Sequence, residues 1–510
     1  MRCSLFLLSL SVSLGACSEA RVVEAQTCTN ELIDDEVAEL GETSLADVGP
    51  DAALTAPLGA IELQPGDDVA AIVEAAAPGE TFFFHAGVYR EIWIEPKNGQ
   101  SFLAERGASL NGARRLKNFS QDAEGLWYAD EQTQEAMAHG GEWCHQGYEG
   151  CHLPEGLWID GEPLRQVTSK SDVKAGRFYF DYGADRIYFA DDPCGREVEA
   201  SVTYFAFSGV AADVTVKGFL VEHYSNPSQF AAIMGEEGAR WTVERNEVRH
   251  SHGAGIAVPG GSVVAGNFVH HIGQIGLVGG GDDVLVEGNE ISYNNLNRFS
   301  VEWECGGSKF TVTNRLIVRG NLSHHNFGPG LWTDIDNIDT LYEDNVVEYN
   351  EHAGIFHEIS YAAEIRNNIV RYNGRDDAWL WGAQILIAAS QDVDVHDNVV
   401  TVAAGYGDGI SLIQQDRGLY LTRNNSIHDN VINFLGEEGM AGGVSDLEDV
   451  GHAGYAILHT GNNVFRDNAY HVHGGDGTRW MWDTGAGDGE YDLTGIQGLG
   501  QEIGSTLQVH

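Results

Sequence analysis

At 510 residues the chain could fill three or four globular domains, and 29 Lys and Arg against 76 Asp and Glu leave a formal charge of −47. A nucleic-acid partner requires a basic stripe, so this balance argues against one. It also disfavours an anionic polysaccharide unless divalent cations bridge the two, although screening over roughly 8 Å confines the penalty to nearby charges.

Met1-Arg2, the apolar run Leu5 to Leu14 and the small-residue end Gly15-Ala16-Cys17 read as an export signal over residues 1–17, too short to span a membrane. The stretch resembles a bacterial lipoprotein signal. That resemblance implies cleavage after Ala16, a lipid on Cys17 as the only membrane attachment and, with Ser18 rather than Asp following, passage to an outer membrane or beyond the cell. Residues 18–60 are acidic and aperiodic, as expected of a flexible tether. Asp67 to Ala77 has helical spacing ahead of Pro78-Gly79, which suits a short helix covering the open end of a solenoid. Thr81 to Glu95 reads as first strands, so residues 61–112 are taken as an N-terminal cap and first coils.

From 113 to 205 the periodicity lapses, and strand-like runs at Leu157 to Ile159, Arg177 to Tyr182 and Arg186 to Phe189 alternate with turns. This region is expected to be an inserted β-rich subdomain. In an exported protein Cys144 and Cys151 form a local disulfide, while spacing assigns no partner to Cys28, Cys194 or Cys305 and shows no zinc pattern.

Beyond 205 an apolar residue precedes Asn by three positions at Asn246, Asn267, Asn289, Asn321, Asn345, Asn368, Asn398 and Asn430, with steps of 21, 22, 32, 24, 23, 30 and 32 residues. A period just above twenty, with excess residues leaving as loops, predicts a parallel β-helix over 206–473. The asparagines are expected to bond one another from coil to coil at a turn. Four residues after them come His250, His271, Tyr293, His325, Tyr349 and Tyr372, which are expected to share one strand face as a stacked core column rather than as metal ligands.

Ten residues after each Asn stand Ile256, Leu277, Phe299, Leu331 and Ile355, apolar and therefore inward; alternation then turns position thirteen outward. That outward column ends in Glu302, Asp334 and Glu358. Coils lie roughly 4.8 Å apart. Two full charges at that distance repel by roughly 3 kcal/mol at an effective dielectric near 20, so three acids need a cation, a shared proton or a function. The plain alternative is a solvated acidic face. Trp332 and Phe356, two positions earlier, would stack on sugar rings or merely cover apolar surface. Lys309, the last lysine of the chain, falls in the extra residues after Glu302 and should hang beside the acids or pair with Glu304. Gln414-Gln415-Asp416 would edge the same groove, Trp379 and Trp381 would wall it or cover a coil, His357 faces inward, and 474–510 caps the solenoid.

Pro78-Gly79-Glu80-Thr81, Ala86-Gly87-Val88-Tyr89, the Asn-bearing coils, Gly328 to Asn337 and Gly354 to Ser360 resemble the right-handed parallel β-helix proteins of the pectin-lyase-like superfamily, and more narrowly a secreted bacterial group. The resemblance implies an all-β solenoid and a polysaccharide partner. It leaves the chemistry open, because lyases, hydrolases, epimerases and non-catalytic members share the fold. In a hydrolase, Asp334 with Glu358, or Glu302 with Glu358, would be the carboxyl pair. In a lyase, Ca²⁺ held by Glu302, Asp334 and Glu358 would neutralise a uronate while Lys309 takes the proton. A carbohydrate-binding module without turnover is the third reading.

Overall fold

The computed structural model describes Leu45, residues 48–50, 54–376, 380–446, 456–474, 477–485 and 488–510. The export signal, Cys17, Cys28 and Trp379 lie outside the described residues. Strand succeeds strand in three long sheets of 13, 12 and 13 members, almost wholly parallel.

One coil shows why the sequence repeats. Thr340–Glu343 runs in the first sheet, Asp344 turns the chain at φ 57°, and Val346–Glu348 runs in the second. Tyr349 turns it again at φ 55°, and Ile355–Glu358 runs in the third before Ile359 closes the coil at φ 36°. Alternate side chains such as Tyr342, Val347 and Ile355 point into a dry axis. Fully burying each contributes roughly 1.5–3 kcal/mol.

The first corner carries the amide ladder. Asn246, Asn267, Asn289, Asn321, Asn345, Asn368, Asn398, Asn430 and Asn468 each donate side chain to side chain to the next, at 2.9–3.1 Å. A second ladder, Asn294 to Asn326 to Asn350 to Asn373 to Gln384, runs at the next corner. Its signal was in the sequence, five residues after each of four ladder asparagines.

The His and Tyr column is stacked but is not core. The strand before each member of this column is only three residues long, as in Glu247–Arg249, so the following residue falls on the left-handed turn. From His250 to Tyr372 the rings stack at 5.0–5.6 Å on the half-exposed outside of the solenoid.

A helix at Val69–Ala75, capped by the Asp68 side chain, covers the N-terminal end. The 18–60 segment is not wholly free: Gly49 N–H donates to Gly266 O at 2.9 Å, and Leu45 N–H to Glu290. Residues 113–201 form a separate eight-stranded sheet. Cys144 and Cys151 are joined, Cys194 is also disulfide-bonded, and Cys305 is a free buried thiol. The solenoid does not stop at 473: Trp480–Asp483 and Thr506–Val509 continue two sheets, and the antiparallel strand Asp488–Tyr491 and the helix Leu493–Gly498 cover the end.

Candidate active site

The site lies on the outer face of the 12-stranded sheet, over the consecutive strands Gly306–Asn314, Leu331–Asp334, Ile355–Glu358, Ile385–Ala388 and Ile410–Gln415. Asp334 and Glu358 are register partners on adjacent coils. Glu302 is not the third member of that column; Thr311 is. The extra residues of the coil between Asn289 and Asn321 leave before the strand, not after it, so counting from Asn289 lands in a loop. Phe299 is displaced from the core column for the same reason, and Ser308 takes its place. Glu302 sits exposed on the rim of the cleft that Asp334 and Glu358 floor.

Lys309 is on the strand itself rather than in a loop, aligned with Trp332 and Phe356. Its ammonium lies 2.8 Å from Asp334 Oδ2 and 3.2 Å from Glu304 Oε1, and only 6% of the side chain is exposed. Burial favours neutral Lys309, but Glu304 and Asp334 outweigh it and hold its pKa above the ordinary lysine value. A lysine so held is in the wrong protonation state to serve as a base. Glu358 is the opposite case. Burial first, then the Asp334 charge, push its carboxyl up to about 7, against Arg417 and Lys309, which lower it. Arg417 Nη1 stands 3.4 Å from Glu358 Oε1.

These cations answer the like-charge problem, and the donor set does not fit Ca²⁺. An ammonium already occupies the position beside Asp334 where a divalent ion would sit, and Glu302 is out of the column.

Trp332 and Phe356 are poor stacking platforms. Their rings stack on each other at 5.3 Å and 12°, and the Lys309 ammonium covers the Trp332 ring at 4.2 Å. Both belong to an outer apolar cluster with Leu386 and Ile413. The half-exposed aromatics of the cleft are instead Trp381, edge-on to Phe356, and Trp303, which stacks on Trp143 of the disulfide loop. That loop is tied to the coil by His145 N–H to Arg298 O and Ser300 N–H to Trp143 O. The inserted subdomain therefore supports one rim of the cleft.

One buried polar atom on the floor, Asp334 Oδ1, has no hydrogen-bond partner, while the Trp332 indole N–H faces the Glu358 carboxyl. The residue after each outward column member is left-handed, with Val312 at φ 54°, Ile335 at 64° and Ile359 at 36°. β-Branched residues adopt this conformation only under constraint, and such strain gathers at functional sites. It ends the strands abruptly just past the carboxyls.

The cleft measures about 410 Å³, and Arg417, Gln415, Glu302 and Trp303 are among its lining residues. Gln414 is buried and accepts from Thr422 N–H at 2.7 Å, fixing the base of the 416–421 arm; Asp416 points to solvent. His357 faces inward between Thr333 and the Tyr361 carbonyl, with burial lowering it to about 4. Arg417 was beyond sequence reasoning, because the arm that carries it leaves the solenoid and folds back over earlier coils.

A family profile described as "right handed beta helix region" matches residues 231–400. No curated protein shows significant sequence similarity to this chain. Among solved structures, XylC in complex with xylose is 16% identical and superposes with a TM-score of 0.60, covering 79% of this chain and 80% of that one. The A-module of mannuronan C-5 epimerase AlgE6 from Azotobacter vinelandii is 12% identical over 86% of this chain and 93% of its own, with a TM-score of 0.46. A mannuronic acid specific polysaccharide family 6 lyase from human gut microbiota is 10% identical over 81% and 86%, with a TM-score of 0.32. At these identities the likeness assigns no chemistry. The protein is a right-handed parallel β-helix.

Proposed function

We propose that this protein is a polysaccharide-active β-helix that cleaves glycosidic bonds by hydrolysis, with Asp334 as nucleophile and Glu358 as acid and base. One observation carries the reading: two carboxyls on adjacent coils floor a cleft, Asp334 held through Oδ2 by Lys309 with Oδ1 unpartnered, and Glu358 buried with its pKa near 7. Adjacent coils at roughly 4.8 Å match the ~5–5.5 Å carboxyl separation of retaining enzymes. The Asp334 carboxylate attacks the anomeric carbon as Glu358 gives its proton to the departing glycosidic oxygen, leaving a glycosyl ester. Glu358, now ionised, takes a proton from water, whose oxygen breaks the ester and frees both residues.

The acidic balance of the chain favours a neutral glycan, and XylC, solved with xylose, supports a carbohydrate ligand on this fold. The protonated state of Lys309 disfavours the lyase reading. The lipoprotein-like start supports residence at a bacterial envelope through Cys17, which fatty-acid labelling of wild type against Cys17→Ala tests. For the activity, a panel of neutral and acidic glycans should yield new reducing ends that Glu358→Gln abolishes. An unsaturated, absorbing product would make the protein a lyase, and retention of glycan without product would make it a binding module; either result rejects the hydrolase.

A further inference from the structure

The arm of residues 416–421 leaves the strand Ile410–Gln415, two coils beyond Glu358, and turns back along the solenoid. Its return is fixed at a distance: the Tyr420 hydroxyl donates to Asp336 Oδ1 at 2.7 Å, 84 residues earlier, and its ring lies 6.0 Å from that of Tyr361. Asp336 pushes the Tyr420 phenol up to about 12, so the hydroxyl remains a donor at neutral pH. Between the anchored base at Gln414 and this latch, Arg417 is held over the cleft against Glu358.

We propose that Arg417 is a positioning residue for Glu358, and that the Tyr420–Asp336 latch exists to keep its guanidinium against that carboxyl. Glu358 is faced by Asp334 from the preceding coil, by Lys309 from the coil before that, by the Trp332 N–H and by Arg417 from the arm, with Glu302 also lining the cleft. Lys309 is already engaged by Asp334 and Glu304. Arg417 is therefore the cation whose removal changes the Glu358 environment without stripping Asp334 of its partner. Without Arg417, burial and Asp334 would keep Glu358 protonated to higher pH, a better proton donor but a poorer base for the second half-reaction. The guanidinium opposes them, and the carboxyl can then alternate between the two roles.

This rests on the assignment of Glu358 as acid and base, so the test includes a readout that needs no activity. Full-length wild type, Arg417→Gln, Arg417→Lys and Tyr420→Phe are treated with a carbodiimide, which attacks protonated carboxyls, and Glu358 modification is followed against pH by peptide mass spectrometry. The expected result is a midpoint raised by about one pH unit in Arg417→Gln, restored in Arg417→Lys, and raised by less in Tyr420→Phe. The alkaline limb of kcat/KM should move upward in step. Midpoints equal to wild type in both Arg417→Gln and Tyr420→Phe would overturn the proposal, even if every variant remained folded. Absence of any glycan cleavage would instead count against the hydrolase while leaving the midpoint comparison decisive for Arg417.

Discussion

Asp334 and Glu358 occupy equivalent places on consecutive coils, yet each has its own cation: Lys309 from the preceding strand for the first, Arg417 from a returning arm for the second. Identical backbone settings thus give two carboxyls with different companions, the condition for dividing acid and nucleophile roles between them.

The first consequence concerns pH. Glu358 has a folded pKa of about 7 against an ordinary carboxyl value of 4.5, so the folded state binds its proton more tightly than the unfolded chain does. The resulting penalty is absent below pH ~4.5, grows as pH rises to ~7 and then stays at about 3 kcal/mol. Glu358→Gln should therefore match wild type in stability near pH 4 and exceed it at pH 8, as read by denaturant titration at both values. Activity should be lost by at least ~100-fold. A variant less stable than wild type at pH 8 would contradict the burial argument.

Lys309 should matter for folding as well as for the site. Lys309→Met leaves Asp334 buried without its cation, at a cost of about 3 kcal/mol. Adding Asp334→Asn to that variant should recover most of the loss, because the stranded charge is removed with its partner. A double variant as unstable as the single one would assign the loss to packing on Trp332 instead.

The amide ladder predicts a loss that is independent of chemistry. Asn345 accepts from the Asn321 backbone and side chain and donates to Val318 O and Asn368 Oδ1, all buried. Asn345→Ala should lower the denaturation free energy by at least ~2 kcal/mol, since several buried groups lose their partner together.

Ile335 should behave in the opposite sense. It is 40% exposed and left-handed at φ 64°, so little burial offsets its strain. Ile335→Asn, a residue tolerant of that conformation, should raise stability by up to about 1 kcal/mol. Loss of activity in the stabilised variant would show that the strain serves to aim Asp334.

Much of the scaffold could be read in the chain because the ladder asparagines sit at a fixed offset from both neighbouring strands. That offset puts Asp334 and Glu358 into one column from the sequence alone. It failed for Glu302, because sequence distance does not tell on which side of a strand an insertion leaves the coil. Sequence position puts Lys309 in an insertion, whereas it stands on the strand and is bound by Glu304 and Asp334. The contributions of Trp303, Trp143 and Arg417 depend on loops that meet across long stretches of chain, and no local period encodes such meetings.

The rim and the floor of the cleft have separate origins, one in segments that leave the coils, the other in the ladder of strands. Each coil of a solenoid is supported only by its two neighbours. The rim can therefore be rebuilt like interchangeable tooling on a fixed bench: segments at 295–304 and 416–421 can be exchanged to change what the cleft admits, while the two carboxyls keep their spacing.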